Sequence, residues 1–486
     1  MPTAERPLKL ASFIQACVAR VLAAGELDSC MRRARALGEL LWKNNLGQYA
    51  LVELEQTLLQ RYQHLFTAPA QRDIKATYLH VLSQAYTASG HTRVVEHLIA
   101  SQAMQDSAVL VTEKAPPATW EKLSKPDHSC ICLPKYSSRQ EKIQALLNQF
   151  AQYKILVLHI HPYDIDAVIA AGLARQLCGT RIYMYNHADH VFSYGHGTAD
   201  VVLELSYFGW ELSKQRGTHE KCVFAGIPLK LPETTDERLE NAAGHITSAG
   251  SAYKYKPGGA YSFPDFAVQL QVRTGRKLML IGPNLKTNWW WWKPARQMGK
   301  QAIFHQRMAY QDYLACMRDA SVYVDSFPLT GGTAFPEMAV KGLPCFGILT
   351  GAHGYSPADQ LKSGSQDTLL DDMDYYLEQQ QQQNQQARQQ RQHQRPGIDQ
   401  AVILQEIRQA HGIEQVACRI SMAETANAQE KQPPWLNPAP INCDFYEKIW
   451  YTRKLFTPPI HNFPDWKLGV LFLKYWIQSR QFSRQA

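Results

Sequence analysis

No apolar run in this chain reaches the roughly 20 residues that cross a bilayer, which argues against a membrane-spanning helix. Residues 1–10 carry Pro2, Glu5, Arg6, Pro7 and Lys9, so the apolar core of a secretory leader is missing there. The ten cysteines form no CxxC pair, and the one CxC, Cys130 and Cys132, has no second half nearby. A zinc site is therefore not expected, and the thiols read as reduced side chains of a cytoplasmic protein. Charge is scarce too: Asp, Glu, Lys and Arg make up 19% of the chain, against the usual quarter. Lys and Arg number 51 against 43 Asp and Glu, a net charge of +8. That excess is too thin for the basic stripe of a dedicated nucleic-acid binder, so no nucleic-acid partner is expected. It does favour anionic ligands, and it leaves peripheral contact with the inner membrane open.

What is present is enough for several cores: 486 residues, 45% of them hydrophobic, suggest about three domains. Residues 1–105 read as an all-helical domain. Leu10, Phe13, Ile14, Cys17 and Val18, then Leu51, Leu54, Leu58 and Leu59, recur at helical spacing. Across 78–100, Leu82, Ala85, Tyr86, Gly90 and Leu98 fall as in a tetratricopeptide-like hairpin, with Gly90 at its turn. From 106 the pattern becomes α/β. Runs at 108–112, 129–133, 154–160, 181–185, 201–205 and 221–224 read as strands, and 154–160 is apolar throughout, as a strand buried on both faces would be. A turn-rich linker covers 225–233. Strands at 245–249, 277–282, 321–325 and 344–348 then alternate with helices at 263–272, 310–318 and 334–340. The expectation is two Rossmann-like domains, 106–232 and 233–450, the second with a Gln-rich insertion at 379–394. A helical segment, 451–486, is expected to pack back across them.

The strongest motif is VYVDSFPLTGGTAFPEMAVKGLP, 322–344. A buried strand ends at Asp325, and a loop with Gly331 and Gly332 leads into a helix. Free backbone N–H groups and the positive end of a helix dipole then converge on one point, which suits a diphosphate. Thr333 adds a hydroxyl, and Glu337, one turn on, can accept both hydroxyls of a ribose. This block resembles the donor-binding element of GT-B glycosyltransferases, in particular the O-GlcNAc-transferase/SPINDLY-like branch, whose loop precedes a helix with a ribose-holding acidic residue. Gly331, Gly332, Thr333 and Glu337 match it, and the resemblance extends over roughly 150–365. Many retaining GT-B enzymes carry a second glutamate eight positions earlier. Leu329 stands there, which favours inversion. The resemblance also implies a cation for the donor phosphates from SAGSAYKYK, 248–256, where Lys254 and Lys256 are candidates. It places Gly282 and Asn284 where the nucleobase loop starts.

A second cluster, YNHADHVFSYGHG at 185–197, follows a buried strand. Ligands of open α/β sheets bind at the carboxyl ends of strands, and a histidine beside an aspartate suits a general base. His187, Asp189 and His190 are the candidates, with His161 of HIHPYDID, 159–166, facing the same side. The HADH string also holds three candidate metal ligands, which keeps a metal reading open. Asp164-x-Asp166 matches a DxD metal motif, but Asp164 reads better as a helix N-cap. Trp289, Trp290, Trp291 and Trp292 cannot all be buried on one face, so some should be exposed.

The resulting expectation is a metal-independent, inverting glycosyltransferase, needing no cofactor, that moves a sugar from a nucleotide-sugar donor to a protein or glycan acceptor. Two rivals remain: a sugar-nucleotide epimerase of the same fold, and a non-catalytic interaction protein.

Overall fold

The computed structural model describes residues 5–44, 46–85, 90–124, 130–232, 244–258, 260–350, 356–386, 400–424, 466–470 and 473. The chain divides into two compact units. One is centred on Met1–Ala225 and completed by residues 417–424, and the other is centred on Gly226–Val416. The division falls inside the expected linker.

The first unit opens with α1 (Glu5–Leu22), α2 (Leu27–Lys43) and α3 (Val52–Tyr62). Seven strands follow: β1 (Ala76–Gln84), β2 (Ser107–Lys114), β3 (Cys130–Cys132), β4 (Tyr153–His159), β5 (Arg181–Asn186), β6 (Val201–Glu204) and β7 (Cys222–Phe224). They form one sheet in the order β3-β2-β1-β4-β5-β6-β7, and every pairing is parallel. The crossovers are α4 (Gly90–Ile99), α5 (Pro117–Leu123), α6 (Arg139–Phe150), α7 (Ile165–Cys178) and α8 (Tyr207–Arg216). Local chemistry sets their ends. The Asp164 carboxylate accepts from the Ala167 N–H at the start of α7, and Gly179 closes it at φ 69°. Ser206 and Gly217 do the same for α8.

The expected all-helical domain at 1–105 is corrected here. The segment taken for a tetratricopeptide-like hairpin supplies β1, which lies inside the sheet between β2 and β4. A strand buried on both faces shows no alternation, so its apolar run mimics a helix. The preceding helices are a layer of this unit, with α2 and α3 packed on α6 and α7. Gly172 makes room for that layer: a Cβ there would lie 2.8 Å from Leu59 Cδ2. The Tyr194 hydroxyl donates to the Ala34 carbonyl at 2.8 Å.

The second unit holds β8 (His245–Ala249), β9 (Leu278–Ile281), β10 (Ala302–His305), β11 (Ala320–Val324) and β12 (Cys345–Phe346), ordered β10-β9-β8-β11-β12. The short edge strand β10 was not expected. Helix α9 (Phe263–Thr274), Trp291 before α10 (Trp292–Met298), and α13 (Gln366–Gln386) bury one face through Phe266, Leu270, Trp291 and Met373. Helices α11 (Tyr310–Arg318), α12 (Ala334–Val340) and α14 (Gln400–His411) cover the other with Met317, Phe335, Met338 and Ile407. Helix α15 spans Ile413–Ser421. Of the four tryptophans, Trp291 is fully buried while Trp289 and Trp292 are exposed. The Gln-rich tract continues α13 as far as Gln386. The rest of it, and nearly all of 451–486, lies outside the described residues.

Candidate functional site

Each sheet has one topological switch point, where strand order reverses, and open parallel sheets bind ligands at the carboxyl ends of the strands flanking it. In the first sheet those strands are β1 and β4; in the second they are β8 and β11.

At the first switch point the side chains that gather are histidines. His80 on β1 and His159 on β4 are buried, and His80 Nδ1 lies 3.0 Å from His159 Nε2. His159 Nδ1 in turn lies 2.8 Å from Nε2 of His187, just past β5. At the other end, Ser107 Oγ is 3.5 Å from His80 Nε2. The sheet register explains the alignment: Leu82 pairs with His159 and His80 with Val157, so the two rings share a face. That face is the one covered by α4, where Leu82 packs on Val95 and Ile99. From the start of α4, His91 stacks on His187 with ring centroids 4.2 Å apart. Burial, then the neighbouring histidines, holds His159 and His187 well below the ordinary imidazole range. Burial brings His91 down to about 4. These rings are neutral at neutral pH.

The other expected acceptor-side residues go elsewhere. Asp189 is buried and accepts hydrogen bonds from the Ser206 hydroxyl and from His190 at 3.1 Å. Its backbone carbonyl accepts from Arg216 at 2.5 Å. Arg216 also faces buried Glu204, which Asn186 Nδ2 contacts through both oxygens at 3.2 and 3.0 Å. Asp189 thus belongs to a polar network under α8 and does not pair with His187. His161 stands beside Tyr163, with centroids 5.4 Å apart, and its backbone N–H donates to Ser83 Oγ. Neither of these two contacts joins the histidine chain. His196 bonds Ser193 at 3.0 Å. Asp166 is held by Arg139 and Lys142. Among the described residues no group of three His, Cys, Asp or Glu side chains is arranged to hold a metal ion.

In the second unit, the loops after β8 and β11 meet. Lys254 Nζ donates to the Thr330 carbonyl at 2.6 Å, and the Leu329 N–H approaches the Lys254 carbonyl at 3.4 Å. Lys256 lies over the Trp290 ring at 5.6 Å. Asp325 is buried and shapes the glycine loop from within: Oδ1 accepts from the Ser326 and Gly331 N–H groups, both at 2.8 Å. Its other oxygen lies 2.9 Å from Lys362 Nζ. The expectation of a free N–H at Gly331 is therefore corrected, since the strand-end carboxylate already takes it. Lys362 was not expected from the sequence, because nothing marks a lone lysine after a short 3₁₀ turn. Burial pulls its proton affinity down, but Asp325 and Asp359 outweigh burial and hold its ammonium above the usual range.

Thr333 occupies the position before α12 and makes no side-chain cap. Glu337, buried in the first turn of α12, accepts from the Tyr310 hydroxyl. Gly332 has room around it, the nearest atom to a Cβ being Ile227 Cδ1 at 3.9 Å. Gly282 ends β9 at φ 112°, and a Cβ there would lie 1.8 Å from the Gly250 carbonyl oxygen. Asn284 shapes the following turn: its N–H donates to Asn288 Oδ1 at 2.7 Å and its Oδ1 accepts from the Lys286 N–H at 2.9 Å.

Two Rossmann-like units with parallel sheets and ligand-type loops at their switch points make this the GT-B fold. Among solved structures, the chain is similar to HepE of Anabaena, in complex with UDP-glucose (11% identity, TM-score 0.50) and with UDP (9%, 0.50). Each match covers 72% of this chain and 99% of HepE. An O-GlcNAc transferase mutant of Thermobaculum terrenum is similar at 14% identity and TM-score 0.47, over 86% of this chain and 77% of the other. A putative UDP-N-acetylglucosamine 2-epimerase from Listeria monocytogenes is similar at 14% and 0.43, over 71% and 95%. No protein-family model and no curated protein matches the sequence.

Proposed function

We propose that this chain is a glycosyltransferase that takes a nucleotide-sugar donor, a UDP-sugar first, and passes the sugar to a hydroxyl or amide of a protein or glycan, with inversion and without a metal ion. One observation carries the reading: the two loops flanking the second sheet's switch point are tied together by Lys254 and Thr330, beside the start of α12 and Glu337. Cation, glycine loop and ribose-type carboxylate are the groups a nucleoside diphosphate needs, and they occur within one unit. HepE, whose fold this is, was solved with UDP and with UDP-glucose. The first unit contributes the neutral imidazole of His187 as the general base.

Calorimetry against UDP, UDP-glucose and UDP-N-acetylglucosamine, followed by transfer of labelled sugar to a protein and glycan panel, tests this. Binding of a UDP-sugar with acceptor-dependent release of UDP is the expected result. Isomerisation of the sugar without any acceptor would move the assignment to an epimerase. Failure of every nucleotide and nucleotide sugar to bind would leave an interaction protein.

A further inference from the structure

The direction of the histidine chain can be read from its far end. A hydroxyl has one proton to donate, and Ser107 Oγ lies 2.5 Å from the Met104 carbonyl, which can only accept. Towards His80 Nε2 the same oxygen is therefore the acceptor, so the proton sits on Nε2. His80 is fully buried, which favours the neutral imidazole, and that form has one N–H. His80 Nδ1 is then a lone pair and accepts from His159 Nε2. By the same step His159 Nδ1 accepts from His187 Nε2. The chain ends with His187 Nδ1 as a lone pair, and among the described residues that atom has no hydrogen-bond partner.

We propose that Ser107, His80 and His159 are positioning residues that lock His187 in the Nε2–H tautomer, leaving Nδ1 as the atom that takes the acceptor proton. The base role rests on the transferase reading above; the tautomer does not. In the transfer step the acceptor O–H bond breaks and its proton bonds to Nδ1. The released electron pair forms the new bond to the anomeric carbon, and the pair of the old carbon–oxygen bond leaves with the nucleoside diphosphate. The imidazolium so formed keeps its Nε2–H on His159, a buried neutral acceptor. The arrangement follows the logic of a base oriented by a third group, with an imidazole where a carboxylate is more usual. Burial makes such an orienter affordable, because a neutral ring costs far less to bury than an ionised carboxylate.

Long-range ¹⁵N–¹H correlation spectra of the full chain, labelled at histidine, read the tautomer directly. Signals are assigned by their loss in His80→Gln, His159→Gln and His187→Gln. All three residues should carry the proton on Nε2, with a pyridine-type Nδ1. A protonated Nδ1 on His187 overturns the proposal. Ser107→Ala removes the terminal acceptor with little change in volume, so His187 should become a mixture of tautomers. Its kcat should then fall with the competent fraction while the KM for donor stays unchanged. A single Nε2–H tautomer in Ser107→Ala, or an unchanged kcat in a variant whose tautomers are mixed, overturns the lock. The expected tautomer without transfer to any acceptor would refute the transferase reading and leave the lock standing.

Discussion

Acid should unfold the first unit through its histidines, and the sign can be worked out. His91, His159, His187 and His196 all have proton affinities lowered by burial, His91 to about 4 and the others well below the ordinary 6.5. Glu55 and Glu204 are shifted the other way, each lifted by burial to about 7. A histidine depressed in the folded state contributes stability above pH 6.5 that is lost as pH falls towards its folded value. A glutamate raised in the folded state contributes stability below about 4.5 that is lost as pH rises through about 7. Between about 4.5 and 6.5 the two effects oppose each other. Unfolding there takes up protons at these imidazoles and at His161, whose affinity burial also lowers, and releases one at each of the two carboxyls, so uptake outweighs release. Each proton taken up or released is worth about 1.4 kcal/mol per pH unit, and the unit should lose stability throughout acidification from about pH 6.5 to 5. Hydrogen exchange of the β4 and β5 amides, corrected for intrinsic rates, measures this locally. In Glu55→Gln one opposing carboxyl is gone, and the slope should steepen by about 1.4 kcal/mol per pH unit. Protection that is flat or rises towards pH 5, or an identical slope in the variant, would refute the reasoning.

Glu337→Ala should weaken UDP binding about ten-fold or more, a loss of roughly 1.5–3 kcal/mol for a charged hydrogen-bond acceptor; calorimetry that shows unchanged affinity removes Glu337 from the site. Asp325→Ala should cost roughly 3–5 kcal/mol, because it strands the buried Lys362 beside Asp359 alone and frees the Ser326 and Gly331 N–H groups; thermal unfolding checks this, and a shift within error counts against it. Gly282→Ala should destabilise the second unit more than its left-handed backbone alone, roughly 1–2 kcal/mol, because the new methyl meets the Gly250 carbonyl; a near-native melting temperature would contradict it. Transfer activity should survive EDTA, and full loss restored by Mn²⁺ or Mg²⁺ would return a metal role to the acidic side chains.

How much of this was legible depended on whether a segment carries a period or a terminator. Strands β4, β5, β8 and β11 are apolar runs bounded by turn residues, and they lie within two residues of where their sequences place them. The N-cap role of Asp164 followed from a carboxylate ahead of an apolar helix and is seen in the Ala167 bond. β1 was misread because Leu82 and Ala85 fit a helical turn as well as a strand, and nothing local decides between them. That one misreading hid His80, the link between Ser107 and His159. In the second unit the sequence placed Asp325, Gly331 and Glu337 on the right elements. It could not show that Asp325 turns inward to Lys362, because that contact joins segments 37 residues apart, between Asp325 and Lys362.

The string Asn186-His187-Ala188-Asp189-His190 shows why proximity in sequence is a poor guide to a shared site. Adjacent side chains on a strand point to opposite faces. Tyr185 and His187 lie with His159 on the α4 side, their rings within 4.9 and 5.1 Å of the His159 ring. Asn186 takes the other face and meets Glu204. Once the chain leaves β5, Asp189 turns back to Ser206 and Arg216, so the carboxylate expected to orient the base supports α8 instead. The two residues should therefore separate by kind of defect. His187→Gln should lower kcat by roughly 10²–10⁴-fold, the usual range for a general base, with donor affinity and stability near normal. Asp189→Asn keeps the shape but leaves Glu204 and Arg216 in an altered buried network, so it should lower the melting temperature and change kcat little. If Asp189→Asn abolishes transfer in a protein of unchanged stability while His187→Gln turns over normally, the imidazole chain is structural and the base lies under α8.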